Sequence, residues 1–187
     1  MAAAATLFPG TEEPRPMAIR SNHYDAAFEE LLRDRRVPYV SVDEKRRALL
    51  ADASLKSFDF IVDCPGRNLL VDVKGRRWGA RGRRWENWAT EDDIASMVKW
   101  EGVFGDGFRA ALVFAYHFEG DPPAEAGEAV FEHAGRRYFF SVALVGDYLG
   151  AMKPRSGAWN TVTVGAEDYR LIRRPLDEVL AAGPAAQ

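Results

Sequence analysis

SFDFIVD (Ser57–Asp63), CPGRN (Cys64–Asn68) and LLVDVK (Leu69–Lys74) stand end to end in the chain. The outer blocks are rich in aromatic and β-branched residues and alternate in polarity. The middle block ends in the turn cluster Pro65-Gly66-Arg67-Asn68, so the sequence predicts a β-hairpin. Phe58, Phe60 and Val62 fall on one face of the first strand, with Asp59 on the other. In the second strand Asp72 and Lys74 share a face with Leu70, while Leu69, Val71 and Val73 turn away. Antiparallel pairing across the turn sets Asp59, near the start of one strand, beside Asp72, near the end of its partner. Two carboxylates this close repel unless a cation lies between them. Mg²⁺ suits the place, because it takes hard oxygen ligands and is content with few protein carboxylates plus water. The carbonyl of Val73 completes the donor set. Lys74 projects beside Asp72, where it can orient a water and stabilise charge on a phosphate.

Upstream, Tyr24, Ala27, Phe28, Leu31 and Leu32 recur at helical spacing behind a Ser21 or Asn22 cap. That helix runs to about Arg36 and Pro38 blocks its continuation. Tyr39 to Val42 is a short strand. Downstream, Gly75 to Ala89 reads as a long loop holding Trp78, Trp85 and Trp88. Thr90 caps a second helix with Asp92 and Asp93 in its first turn, ended by Gly105 and Gly107. FRAALVFAYHF (Phe108–Phe118) is a buried strand. The order is αβββαβ, an α/β core over residues 22–118 with a mixed central sheet. A hairpin (Ala129 to His133, Arg137 to Ala143), a helical turn after Val145, a strand from Trp159 to Val164 and a short helix after Pro175 make residues 119–187 a β-rich C-terminal extension. Residues 1–20, rich in Ala and Pro, read as a disordered tail before a single domain from residue 21.

Composition narrows the function classes. The 187 residues are 47% hydrophobic and 28% charged, as in soluble folded proteins. No run approaches the roughly 18 apolar residues of a membrane span. Cys64 is the only cysteine and the three histidines lack metalloprotease spacing, which excludes a cysteine zinc cage and disfavours a zinc hydrolase. A reducing cytoplasm is the expected location. Residues 1–84 carry 16 Lys and Arg against 12 Asp and Glu; residues 85–187 carry nine against 16. Between Lys74 and Arg84 stand six cations and no anion. Arg76, Arg77, Arg81, Arg83 and Arg84 are therefore candidate phosphate contacts, with the interleaved tryptophans as stacking surfaces for unpaired bases. A solvated arginine loop anchored by those tryptophans is the plainer reading of the same segment. Lys153, Arg155, Ser156 and Trp159 form a second polar-aromatic cluster.

Asp59 followed by Asp72-Val73-Lys74 in this element order resembles the PD-(D/E)XK superfamily of restriction endonucleases and Holliday-junction resolvases. Phe58 stands where that pattern usually has proline. The resemblance implies a restriction-endonuclease-like fold and a Mg²⁺-dependent nuclease, with Mn²⁺ able to substitute. DNA is the expected substrate, taken by structure or in repair and cut by a homodimer. It also implies a metal-binding glutamate on the first helix, for which Glu29 is the best match and Glu30 the alternative, and an auxiliary basic residue on the second, Lys99, as a further nucleic-acid contact. An inactive member that only binds nucleic acid or protein is the competing expectation. His23-Tyr24-Asp25-Ala26-Ala27-Phe28-Glu29 further resembles the signature of the uncharacterised HYExAFE family, with Asp25 for its glutamate. The segments Lys56 to Phe60 and Val71 to Arg76 resemble it too.

Overall fold

The structure, a computed structural model, describes residues 22–42, 48–50, 53–79 and 84–181. The expected N-terminal tail, Arg81 and Arg83 lie outside these residues. The chain runs α1 (His23–Asp34), β1 (Tyr39–Ser41), a hairpin of β2 (Ala48–Leu50) and β3 (Ala53–Leu55), β4 (Phe60–Cys64), β5 (Arg67–Trp78), β6 (Ala89–Thr90), α2 (Glu91–Phe104) and β7 (Phe108–Phe118). Then come β8 (Phe131–His133), β9 (Arg136–Leu144), α3 (Val145–Ala151), β10 (Met152–Ser156), β11 (Thr161–Val164), α4 (Ala166–Ile172), β12 (Arg174–Pro175) and α5 (Leu176–Ala181). The αβββαβ order expected over residues 22–118 is present, with the β2–β3 hairpin and the short β6 added. The main sheet has the order β1-β4-β5-β7-β9-β12, with β8 on β9. Among the described residues only β5 and β7 pair in parallel, so the sheet is mixed, and α2 is the crossover that a parallel pair requires.

Each helix has a chemical start. The Asn22 side chain accepts from the Tyr24 N–H at 3.1 Å and begins α1. Thr90 and Asp93 exchange side-chain and backbone bonds in a capping box that begins α2. The sheet separates two apolar layers. On one side α1 and α5 pack Phe28, Leu32, Leu176 and Val179 against Phe60, Val71, Val73 and Val113. On the other, α2, α3 and α4 pack Met97, Tyr148 and Tyr169 against Leu70, Leu112 and Phe114. From Ala110 to Tyr116 β7 is buried without a break, as expected of a strand covered on both faces.

The second hairpin strand outruns its sequence boundary. It continues past Lys74 to Trp78, pairing Gly75–Trp78 with Ala115–Phe118 of β7, because β7 offers an unbroken edge. Arg76 and Arg77 thus lie in a strand and not in the expected loop. Gly75 is required by close approach: a Cβ there would lie 2.2 Å from Cδ2 of Tyr24, whose ring rests on the strand. Gly75→Ala is expected to cost about 2–3 kcal/mol by overpacking, measured by urea unfolding. In a Tyr24→Ala background it should cost almost nothing more, since the ring that clashes is gone.

Phe58 also departs from expectation. It was read on the face of Phe60 and Val62, yet it packs with Trp100 and Phe104 on the opposite side. A bend at Asp59 precedes β4 and breaks the alternation. Residues after 118 are more than an appendage, since β9 lies beside β7 and completes the central sheet. The β8–β9 hairpin turns through Ala134 and Gly135, both at positive φ.

Candidate active site

The last ladder pair between β4 and β5 is Phe60 with Val71. One step further, that register sets Asp59 opposite Asp72. The Asp59 N–H still donates to the Val71 carbonyl at 2.8 Å. There β4 stops, leaving the Val73 N–H without a strand partner, and the Asp59 side chain takes its place: Oδ2 accepts from Val73 at 2.5 Å. Strand geometry points the Val73 carbonyl to the same side, past the end of β4. Asp59 is 5% exposed and Asp72 9%, and their carboxyl groups are in hydrogen-bonding contact.

Lys74 and α2 complete the arrangement. Lys74 Nζ lies 2.7 Å from Asp72 Oδ2 and 3.0 Å from Asp93 Oδ2. Asp93 is also held by Lys56, whose Nζ is 3.0 Å from its Oδ1. Lys56 further donates to the Thr90 hydroxyl at 3.3 Å. Lys56, Asp59, Asp72, Lys74 and Asp93 line a cavity of about 270 Å³ together with Ser57, Ser96 and Met97.

Burial pushes the Asp72 carboxyl above its ordinary range; Lys74 opposes the shift and Asp93 adds to it. Burial alone would depress Lys74, but Asp72 and Asp93 outweigh it and hold the ammonium above its usual value. Burial likewise works against ionised Asp93, yet Lys74, the Thr90 cap and Lys56 keep it far below the usual carboxylate range. A carboxylate whose folded pKa lies below its unfolded one contributes stability that is complete above about pH 4. That stability drains away as pH falls further. The acid-side loss of stability, followed by urea midpoints from pH 5 to pH 2.5, is therefore expected to be shallower in Asp93→Asn than in the wild type.

The structure gathers Asp59, Asp72, Val73 and Lys74. It does not bring in Glu29, which accepts from the Tyr39 hydroxyl and from Arg33, each at 2.8 Å, and does not line the cavity. Glu30 faces Arg33 instead, 3.7 Å away. Helical spacing could not choose between them; the buried acid of α1 is Asp25, 4% exposed. Arg76 is corrected as a phosphate contact: it is 6% exposed, beneath the Trp88 ring. Arg77 is exposed and paired with Glu119. Lys99 is exposed on α2 and does not line the cavity. Arg84 is exposed elsewhere, at a second cavity. Lys56 and Asp93 were missed as site residues. Asp93 was legible only as a first-turn helix acid, and Lys56 only as part of a resembling segment.

Among the described residues, no cluster of three or more His, Cys, Asp or Glu is placed to hold a metal ion. The pair Asp59 and Asp72 nevertheless fits a hard cation that keeps most of its water, since two buried carboxyl groups in contact gain from positive charge.

No protein-family model matches the sequence, and no curated protein matches it. Among solved structures the chain is similar to Hjc, a Holliday junction resolvase from the archaeal hyperthermophile Archaeoglobus fulgidus. The TM-score is 0.50 at 13% identity, covering 85% of this chain and 98% of that one. The fold is accordingly restriction-endonuclease-like.

Proposed function

We propose that this protein is a metal-dependent nuclease that hydrolyses phosphodiester bonds in DNA at the Asp59–Asp72–Lys74 cleft. The observation that carries the reading is the convergence of two buried aspartates from adjacent strands with a lysine two residues beyond the second. Asp59, Asp72 and the Val73 carbonyl are the groups to hold Mg²⁺, or Mn²⁺ in its place. When bound, the ion supplies Lewis-acid stabilisation and lowers the pKa of water. Three carboxylates and two ammonium groups give the cleft a formal charge of −1. One divalent ion makes it +1, matched to a single phosphodiester anion. Lys74, held between Asp72 and Asp93, keeps its proton and presents it to the attacking water and to the phosphate oxygens. Asp93 positions Lys74 and touches no substrate.

Likeness in fold to a Holliday junction resolvase supports a branched or otherwise structured DNA as substrate. Cutting both strands of such a junction calls for a second copy of the chain. No helix among the described residues is long and apolar enough to cross a membrane. A cytoplasmic nuclease is the reading we adopt. The test is cleavage of labelled single-stranded, duplex, flap and four-way-junction DNA, and of RNA, with Mg²⁺ or Mn²⁺. Metal-dependent cutting of a DNA member supports the proposal. No cutting of any member would sink it and leave a non-catalytic binding module.

A further inference from the structure

A second and larger cavity, of about 800 Å³, opens on the α2 side of the sheet. Its walls come from parts of the chain remote in sequence: the segment 84–88, strands β10 and β11, and α4 with Arg173. Pairing of Ala89 and Thr90 in β6 with Val162 and Thr161 in β11 holds these parts together. Both cavities lie along one strand. Lys74 projects into the first, and two residues on, Arg76 lies beneath Trp88, which lines the second.

The lining is cationic and aromatic. Arg84, Arg155, Arg170 and Arg173 face Glu86 and Glu125, an excess of two positive charges. Glu125 is already committed, accepting from Trp85 Nε1 at 2.9 Å and from Arg173 at 3.2 Å. Among the described residues, Arg84, Arg155 and Arg170 have no carboxylate within ion-pair distance. Arg173 lies over the Trp85 ring at 4.3 Å, with its buried Nη1 unpartnered. Arg155 lies 5.1 Å from the Trp88 ring centre. Behind Trp88, buried Arg76 adds a cation whose Nε has no hydrogen-bond partner. Guanidinium planes on indoles offer both charge for phosphates and flat surfaces for bases. The Asn87 side chain is occupied by Thr163 and Val164 and is not presented to read base edges.

We propose that this cavity binds an unpaired nucleic-acid strand, taking its phosphates on Arg155, Arg170 and Arg173 and its bases against the arginine and indole planes, with little regard to sequence. The acidic balance of the C-terminal half hides the site, because its arginines converge only in the fold. That the strand held here is the one cut in the first cavity rests on the nuclease reading; its binding does not.

The experiment is carried out in EDTA, so that no metal-dependent cleavage intervenes. Quenching of tryptophan fluorescence reports binding of a twelve-residue oligothymidylate, an abasic deoxyribose-phosphate oligomer of equal charge, and thymidine monophosphate. The full chain is compared with Arg155→Glu/Arg170→Glu, both exposed and without ion-pair partners among the described residues, and with Arg155→Gln/Arg170→Gln as a milder change. We expect the oligothymidylate to bind at least about tenfold tighter than the abasic oligomer. We also expect the charge reversal to weaken it at least tenfold. The neutral pair of substitutions should make the slope of log K against log salt shallower by about 1.4, as for two lost phosphate contacts on a single strand. Abasic binding equal to that of the oligothymidylate, or affinity unchanged in both variants, would overturn the proposal. Monophosphate binding as tight as the oligomer's would replace a strand site with a free-nucleotide site and overturn it as well. If the variants keep full binding while the wild type cuts DNA, this site fails and the nuclease stands. If strand binding is lost in the variants and the wild type cuts nothing, the nuclease fails and this site stands.

Discussion

Asp72→Asn is expected to give a protein that folds at least as stably as the wild type and has lost metal-dependent cleavage. The two effects have one origin. Asp72 is 9% exposed, touches Asp59 and shares Lys74 with Asp93. Its carboxyl is pushed above the usual range by burial. A carboxylate with a raised folded pKa costs the folded state stability once pH rises past its unfolded value, so at neutral pH its charge is a burden. Asparagine keeps the shape and removes the charge, and Lys74 retains Asp93 at 3.0 Å. A gain of about 1 kcal/mol is the expected scale, as when other functionally strained sites are relieved. On the proposed nuclease reading, cleavage should fall by about 10³-fold or more, because the charge that burdens the fold is the one assigned to the metal. Urea unfolding at pH 7 and initial cleavage rates on the preferred DNA test both halves. Loss of stability without loss of cutting would show Asp72 to be an ordinary strand-end acid.

Lys74→Met should damage both properties. Methionine matches the length of the lysine stem but leaves Asp72 beside Asp59 without its ammonium partner. Asp93 keeps the Thr90 N–H and, as its cation, Lys56, whose side chain is 35% exposed. Removing one partner of a buried pair costs about 3–5 kcal/mol, because the remaining charge is stranded. Cleavage should vanish with the lost proton donor. The double variant Lys74→Met/Asp72→Asn separates the causes: it should regain much of the lost stability while remaining inactive. A double variant no more stable than Lys74→Met would mean that the lysine stem, and not its charge, supports the fold.

How much of this was legible depended on the range of the interactions involved. Register in the β4–β5 hairpin follows from alternation and a short turn, so the meeting of Asp59 with Asp72 could be read from residues 57–74. The length of β5 could not, because residues 75–78 are strand only by virtue of β7, more than thirty positions away. Glu29 was taken from the resemblance, and helical spacing says which acids lie on a helix but not which strand end they reach. Asp93 joins the site only because α2 returns across the sheet. Strand β10, α4 and the arginines of the second cavity carry weak local signals and acquire meaning only when β11 pairs with β6.

The full-length pairing of β5 with β7 also restricts how this chain can change length. Successive residues from Leu69 to Trp78 point to opposite layers. Insertion or loss of a single residue there would carry every later side chain across the sheet, sending the Lys74 ammonium into the α1 layer and the Trp78 indole away from its neighbours. A two-residue change keeps the faces but slides the lysine about 6.6 Å along the strand. The segment joining the two cavities is therefore a ruler whose gradations are counted in pairs. Length variation among homologous chains should accumulate outside it, in the turns that neither cavity uses.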